Sequence, residues 1–260
     1  MNQIQQIDSR LTFSFIILYR HKDIQRFNNL KRVVEWASSF SESEIIVVEQ
    51  DTHSKIKHLA LPVKHIFTKS KMPFNRSWGF NVGAKHANSE ILVLTDCDLI
   101  MNPYNFIEAL RLVSEYDCVS PYSSVIDLNA QESIGNLEQI MTIQRPGRGE
   151  TDHQKINICG GMTIFRKDSF LAVGGYNEDF VGWGCEDDYQ AIKVKSFLKW
   201  YELPGRCYHL FHEREAPDMK WYQRNFQLLT KLTEMSQDDM KKLISVSVPK
   251  IGMKNKYDTF

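Results

Sequence analysis

Short apolar runs alternate with longer stretches of helical period along the first half of the chain. Phe13 to Tyr19 (FSFIILY) is apolar at nearly every position, which predicts a strand covered on both faces rather than one alternating between core and water. After it, Leu30, Val33, Val34 and Ala37 recur at helical spacing and predict a helix with one buried face, followed by a strand at Glu44 to Val48. A third strand is predicted at Val63 to Thr68, a helix at Ser77 to Ala87 and a fourth strand at Glu90 to Leu94. This order predicts an α/β fold, a mostly parallel central sheet flanked by helices. From Val119 to Asn157 the pattern loosens, and Gln144-Arg145-Pro146-Gly147-Arg148-Gly149 predicts a long, mobile loop. Order resumes with a glycine-containing strand at Ile158 to Phe165 and a short helix from Lys167 to Gly174-Gly175. A helix opens at Glu186 and runs to about Leu198, and a closing helix after Pro217 carries Trp221, Phe226, Leu228, Leu229 and Leu232.

With 260 residues the chain is long enough for one substantial core, and a single domain over 1–260 is expected. The 32 Lys and Arg balance the 32 Asp and Glu, so no global positive field draws in a nucleic-acid backbone, and no nucleic-acid partner is expected. Five cysteines, odd in number and without a C-x-x-C pair, argue against a disulfide framework or a structural zinc site and for a reducing compartment. Met1 to Arg10 is polar and no run of about 18 apolar residues occurs, so the expected location is cytoplasmic. Between Lys241 and Phe260 five lysines face one aspartate, a basic tail suited to peripheral contact with anionic lipid or to simple solvation.

The candidate chemistry begins where the fourth strand stops, at Thr95-Asp96-Cys97-Asp98. Ligands of open α/β sheets gather at the carboxyl ends of the strands. Two carboxylates spaced by one residue there can offer hard oxygens to a divalent cation carrying a diphosphate, although a lone Asp-x-Asp also fits a capped turn. His209 and His212, three apart, can add imidazole ligands, His212 the more favoured, and a set of oxygen and nitrogen donors without thiolate suits Mn2+, with Mg2+ as a substitute. Gly182-Trp183-Gly184-Cys185-Glu186-Asp187-Asp188 places a flat indole between glycines, with three successive carboxylates at a helix start. Mutual repulsion raises the pKa of at least one carboxylate and suits it to general-base work near neutral pH.

In order along the chain, Phe74-Asn75-Arg76 with Asn81-Val82-Gly83, then Thr95-Asp96-Cys97-Asp98, Gly174-Gly175-Tyr176-Asn177-Glu178-Asp179-Phe180, Gly182 to Asp188 and His209-x-x-His212 make up a motif series. It resembles that of GT-A glycosyltransferases, in particular the β-1,4-galactosyltransferases and the bacterial chondroitin-polymerase-type family 2 enzymes. The resemblance covers about Phe13 to Glu213 and implies a GT-A fold with a nucleotide-binding half over 11–118, an acceptor and metal half over 119–216, and a helical tail over 217–260.

By the same resemblance, Tyr19, Arg20, Glu49, Phe74, Arg76, Asp96 and Trp183 are expected on the donor nucleotide and sugar, with Phe74 stacking on uridine and Arg76 binding phosphate. Trp183, Glu186 and Asp188 are expected on the acceptor. Asp98, His209 and His212 are the expected metal ligands, His209 standing where vertebrate-type enzymes carry methionine, and Asp187 is the expected catalytic base. The implied activity is metal-dependent, inverting transfer of a hexose or N-acetylhexosamine from a UDP-sugar to a glycan or lipid-linked saccharide acceptor, in bacterial surface polysaccharide synthesis near the inner face of the membrane. Two other readings stand beside it: a retaining enzyme of the polypeptide N-acetylgalactosaminyltransferase type, and a catalytically silent module that binds sugar nucleotides or glycans.

Overall fold

The computed structural model describes residues 12–41, 43–57, 61–151, 156–214, 216 and 218–257. The expectations that fall on Met1 to Arg10, on Pro217 and on residues 258–260 lie outside them. The first strand, β1 (Phe13–Tyr19), is buried at every position, as its unbroken apolar run requires. Helix α1 (Ile24–Ser38) starts at Asp23, whose carboxylate accepts from the Arg26 amide, and buries Leu30, Val33, Val34 and Ala37. Strands β2 (Ser43–Asp51) and β3 (Lys64–Lys69) precede helix α2 (Arg76–His86), capped by the Asn75 side chain. Then come β4 (Ile91–Asp96), β5 (Leu99–Met101) and helix α3 (Pro103–Leu112).

The first part of the segment predicted as a long loop carries β6 (Cys118–Ser120), β7 (Ser124–Asp127), α4 (Ala130–Ser133) and α5 (Leu137–Met141), whereas Gln144 to Gly149 belongs to no helix or named strand. Both short helices open with capping boxes, Asn129 with Glu132 and Asn136 with Gln139, so side chains satisfy the free amides of their first turns. Strand β8 (Thr163–Arg166), helix α6 (Lys167–Ala172), helix α7 (Glu186–Phe197), β9 (Trp200–Glu202) and β10 (Arg206–His209) follow, and α8 (Met219–Thr233) and α9 (Gln237–Ser247) close the described chain.

The main sheet has seven strands in the order β3-β2-β1-β4-β8-β6-β9. The run from β3 to β4 is parallel, β8 is antiparallel to both β4 and β6, and β9 returns parallel to β6. Alternate residues of β1 feed two cores. Phe13, Phe15 and Ile17 join Trp36, Phe40 and Phe106 on one face, whereas Ile16 and Leu18 join Trp78 and Phe80 on the other. Helix α2 lies so close to the sheet that a Cβ on Gly83 would sit 2.2 Å from the Ile16 side chain. Phe106 stacks on Phe15 with centroids 5.4 Å apart and is wholly buried, so truncating it to alanine costs about 3–5 kcal/mol.

A second sheet, β5-β10-β7, stands apart from the first. β5 follows directly from the end of β4, so this small sheet joins the crevice at the strand ends to the half of the chain that carries the histidines.

The C-terminal segment is not a free basic tail. Ile251 and Gly252 are buried, Trp78 Nε1 donates to the Met253 carbonyl at 2.8 Å, and Tyr257 meets the Trp78 ring edge-on at 4.8 Å. Lys256 pairs with Glu178 at 2.9 Å, Lys242 with Asp239 at 3.1 Å and Lys241 with Asp238 at 3.6 Å, which leaves much of the expected positive charge compensated. Among the described residues no helix is long and apolar enough to cross a membrane.

Candidate active site

Because β1, β2 and β4 run parallel, their carboxyl ends share one edge of the sheet, where residues just past each strand can meet a ligand. Arg20, one residue beyond β1, donates its Nε to the Gln50 carbonyl at 2.7 Å, and its guanidinium lies 5.7 Å from the centre of the half-buried Phe74 ring. Two expected donor residues turn inward instead. The Tyr19 ring is wholly buried in the core, with its hydroxyl 2.8 Å from His21 Nδ1, and burial pushes that hydroxyl above the usual tyrosine range. Glu49 is also wholly buried, accepting from Ser54 Oγ and the Lys55 amide at 2.6 Å and lying 2.9 Å from His65 Nε2. The Glu49 carboxylate fastens the turn after β2 and has no exposed surface for a nucleotide.

Asp98 lies in the turn between β4 and β5. Antiparallel pairing sets Leu99 opposite His209, and the Leu210 amide donates to the Asp98 carbonyl at 2.8 Å, which draws both histidines to the end of β4. His212 Nε2 is 3.3 Å from Asp98 Oδ2, and His209 Nε2 is 3.8 Å from Oδ1. The two imidazole rings lie 5.1 Å apart. Arg26, in the first turn of α1, donates to the same Asp98 carboxylate.

Burial alone would raise the Asp98 pKa, but the hydrogen bond to His212 and the charges of His209 and Arg26 outweigh it and hold the carboxyl well below its usual range. Burial likewise lowers His209, against the pull of Asp98, and favours the neutral imidazole that ligates metals. One ligand atom from each of Asp98, His209 and His212 lies within 4.8 Å of the others, so the donor set fits a cation of the Mn2+ or Mg2+ kind.

Arg76 joins the end of β4 to the first turn of α7. Its Nε donates to Asp96 Oδ1 at 2.9 Å, its Nη1 to Asp187 Oδ1, and its Nη2 to the Gly161 carbonyl at 3.0 Å, while Phe80 lies under the guanidinium at 4.6 Å. The fork expected to bind phosphate is thus occupied by three protein acceptors, with only 9% of the residue exposed.

Asp187 is pushed well above the ordinary carboxylate range by burial; the Arg76 charge opposes the shift, and Glu186 and Asp96 add to it. Burial also raises Glu186, whose Oε2 has no hydrogen-bond partner among the described residues. Most buried polar atoms in folded proteins are paired, so this open oxygen is available to a ligand. Asp188 is exposed and accepts from Asn157 Nδ2 at 2.9 Å.

The three carboxylates open α7 after a backbone that ordinary residues avoid. Gly182 and Gly184 have φ of 77° and 100°, and Cys185, the only non-glycine with positive φ among the described residues, has 73°. This bend holds Trp183 65% exposed. Helix α8 braces the bend from behind. Wholly buried Asn225 donates from Nδ2 to the carbonyls of Val181 at 3.0 Å and Gly184 at 3.1 Å, and Tyr222 stacks on the Trp183 indole at 5.6 Å. One face of the indole rests on tyrosine.

Sequence reasoning did not single out Arg26, Asp127, Tyr222 or Asn225. Arg26 had a signal, since it stands one helical turn past Asp23 in the connection leaving β1, where strand-end ligands gather. Asp127 had none, because its place depends on a four-residue strand paired with a segment some eighty residues away.

The family model described as glycosyl transferase family 2 matches residues 24–174, and that of the N-terminal domain of galactosyltransferase matches residues 150–213. Human chondroitin sulfate N-acetylgalactosaminyltransferases 1 and 2 are 29% and 28% identical over 155 and 162 residues, each match covering 56% of this chain. The chain spans 28% of the length of these relatives. Among solved structures, GalNAc-T7 with UDP, GalNAc and Mn2+ superposes with a TM-score of 0.58 at 16% identity, covering 85% of this chain and 48% of that one. S. aureus TarS in complex with UDP-GlcNAc gives 0.56 at 14%, covering 92% and 72%. Drosophila β1,4-galactosyltransferase 7 with manganese, UDP-Gal and xylobiose gives 0.51 at 17%, covering 82% and 80%. These likenesses give the chain a GT-A-like fold. With more than half of its residues inside the first family model, the chain belongs to glycosyl transferase family 2.

Proposed function

We propose that this protein transfers a hexose or N-acetylhexosamine from a UDP-sugar to a hydroxyl of a glycan or lipid-linked saccharide, with inversion at the anomeric carbon. The observation that carries the reading is the convergence of Asp98, His209 and His212 at the end of β4, beside the Arg76 fork that ties Asp96 to Asp187. Asp98, His209 and His212 would hold Mn2+, or Mg2+ in its place, which would supply positive charge to offset that of a UDP diphosphate. Arg20 and Phe74, already in contact, bind the nucleotide. Asp96 lies on the donor side, and Arg76 fixes its distance from the acceptor side.

The exposed face of Trp183 takes a sugar ring, and Glu186 and Asp188 accept from acceptor hydroxyls. Asp187 takes the proton of the attacking hydroxyl as the new bond to C1 forms and the bond from C1 to the UDP oxygen breaks. Its raised pKa makes it a better proton acceptor than an ordinary carboxylate. The functional division into halves at 11–118 and 119–216, with 217–260 as an accessory tail, belongs to the same proposal. So do a cytoplasmic setting, which five free and buried thiols favour, and a role in bacterial surface polysaccharide synthesis.

The test is a panel of UDP-sugars offered with Mn2+ and a mixture of saccharide acceptors, with UDP release measured and the product's anomeric coupling read by proton NMR. Metal-dependent release and an inverted anomer are expected. Retention of configuration would remove Asp187 from the role of base, and nucleotide binding without release from any sugar would reduce the protein to a binding module.

A further inference from the structure

His209 sits between two carboxylates, that of Asp98 from the turn before β5 and that of Asp127 from the end of β7. Across β5 its Nε2 is 3.8 Å from Asp98 Oδ1, and across β7 its Nδ1 is 3.3 Å from Asp127 Oδ1. The register of the small sheet sets His209 beside Asp127 on one side and opposite Leu99, the residue after Asp98, on the other. His212 repeats the pattern by other means: its Nε2 faces Asp98 at 3.3 Å, while its Nδ1 lies 3.0 Å from the Glu213 carbonyl. A carbonyl only accepts, so that contact calls for a proton on His212 Nδ1, and a cation that displaces the Nε2 proton would find the Nε2 lone pair beside Asp98.

Asp127 is itself held in place. Arg148 grips its carboxylate with Nε and Nη2 at 2.9 and 3.1 Å, Arg214 Nη2 adds a bond at 2.7 Å, and Arg145 Nη2 donates to its carbonyl at 2.6 Å. Three arginines from the 145–148 turn and from the segment after His212 thus converge on one residue next to a histidine of the candidate cation site.

We infer that Asp127 is a positioning residue: it holds the proton on His209 Nδ1, and so aims the Nε2 lone pair at the cation site shared with Asp98 and His212. The inference rests on the reading of these three as the cation ligands. Asp127 does for His209 what a backbone carbonyl does for His212, and a carboxylate at this position also makes the imidazole a stronger donor to the metal.

The test pairs calorimetric titration of the intact chain with Mn2+ alone and nitrogen NMR of the histidine side chains without metal, on wild type, Asp127→Ala, Asp127→Asn and His209→Ala. Circular dichroism and Tm confirm that each variant is folded. In wild type His209 is expected to carry its proton on Nδ1. Asp127→Ala is expected to give a mixture of tautomers and to weaken Mn2+ binding by about 10–100-fold. Asp127→Asn, which keeps an oxygen acceptor, is expected to fall between the two. A wild-type His209 protonated on Nε2 would overturn the inference, and so would an Asp127→Ala protein that keeps both tautomer and affinity while His209→Ala loses the metal. If wild type bound no Mn2+, the reading of the cation site would fall; the tautomer readout, which needs no metal, would still decide whether Asp127 sets the proton on His209.

Discussion

Arg76 and Asp187 form an ion pair between the first residue of α2 and the first turn of α7, joining the two halves of the chain at the candidate site. The pair makes Asp187 a rigid group with a defined distance to the end of β4, because the same guanidinium also holds Asp96. Asp187→Asn keeps the shape and an oxygen acceptor for Arg76 but cannot take a proton. Turnover is expected to fall by about 10²–10⁴-fold while UDP affinity in Mn2+, measured by calorimetry, changes by no more than a few-fold. Comparable turnover in the variant would take the base role away from Asp187.

The pH profile follows from the direction of the Asp187 shift. Burial raises this carboxyl, so on acidification it gains its proton at a higher pH than an exposed aspartate, and the base form is lost earlier. The acidic limb of kcat/KM is expected to lie above the ordinary aspartate value of about 3.9. Replacing Arg76 with methionine removes the charge that opposes the shift and is expected to move that limb further up. A limb at or below the ordinary value would contradict the assignment.

Much of this arrangement was legible in the sequence, and the limits of legibility have physical causes. The unbroken apolar run Phe13–Tyr19 announces a strand with helices on both faces, and Asp96 and Asp98 mark its neighbour's carboxyl end. The small sheet was hidden because β5, β7 and β10 have three or four residues each and are fixed by pairing across the fold rather than by their own periodicity. The capping boxes at Asn129 and Asn136 were readable and set two short helices in the first part of the segment expected as a long loop. Side-chain direction was the hardest part. Tyr19 and Glu49 occupy the expected strand ends, yet a strand turns successive side chains to opposite faces, and theirs are wholly buried. Counting lysines in the tail likewise could not reveal that Glu178, Asp238 and Asp239 would answer three of them.

At the proposed cation site Arg26 would compete with the cation for Asp98, because its guanidinium donates to that carboxylate. Replacing Arg26 with leucine removes the competitor. Mn2+ affinity in the absence of nucleotide is expected to rise by about tenfold, equivalent to ~1.4 kcal/mol, as read by calorimetry. Weaker Mn2+ binding in the variant would mean that Arg26 orients Asp98 rather than blocking it.

Lys193 gives the last prediction, on stability rather than activity. It is 2% exposed on α7 and donates to the Val173 carbonyl at 3.1 Å and to the Gly175 carbonyl. Burial lowers its pKa from 10.5 to about 7. Between these values the folded protein holds a neutral amine while the unfolded chain remains protonated. Unfolding in that window therefore takes up a proton, and the Lys193 contribution to stability rises with pH, by at most ~1.4 kcal/mol per unit. Below about 7 both states carry the charge and the full cost of burying it remains. Lys193→Met abolishes this titration. Urea midpoints measured from pH 6 to 10 are expected to show wild type gaining on the variant as pH rises above 7, and parallel curves would mean that the buried amine keeps its ordinary affinity for the proton.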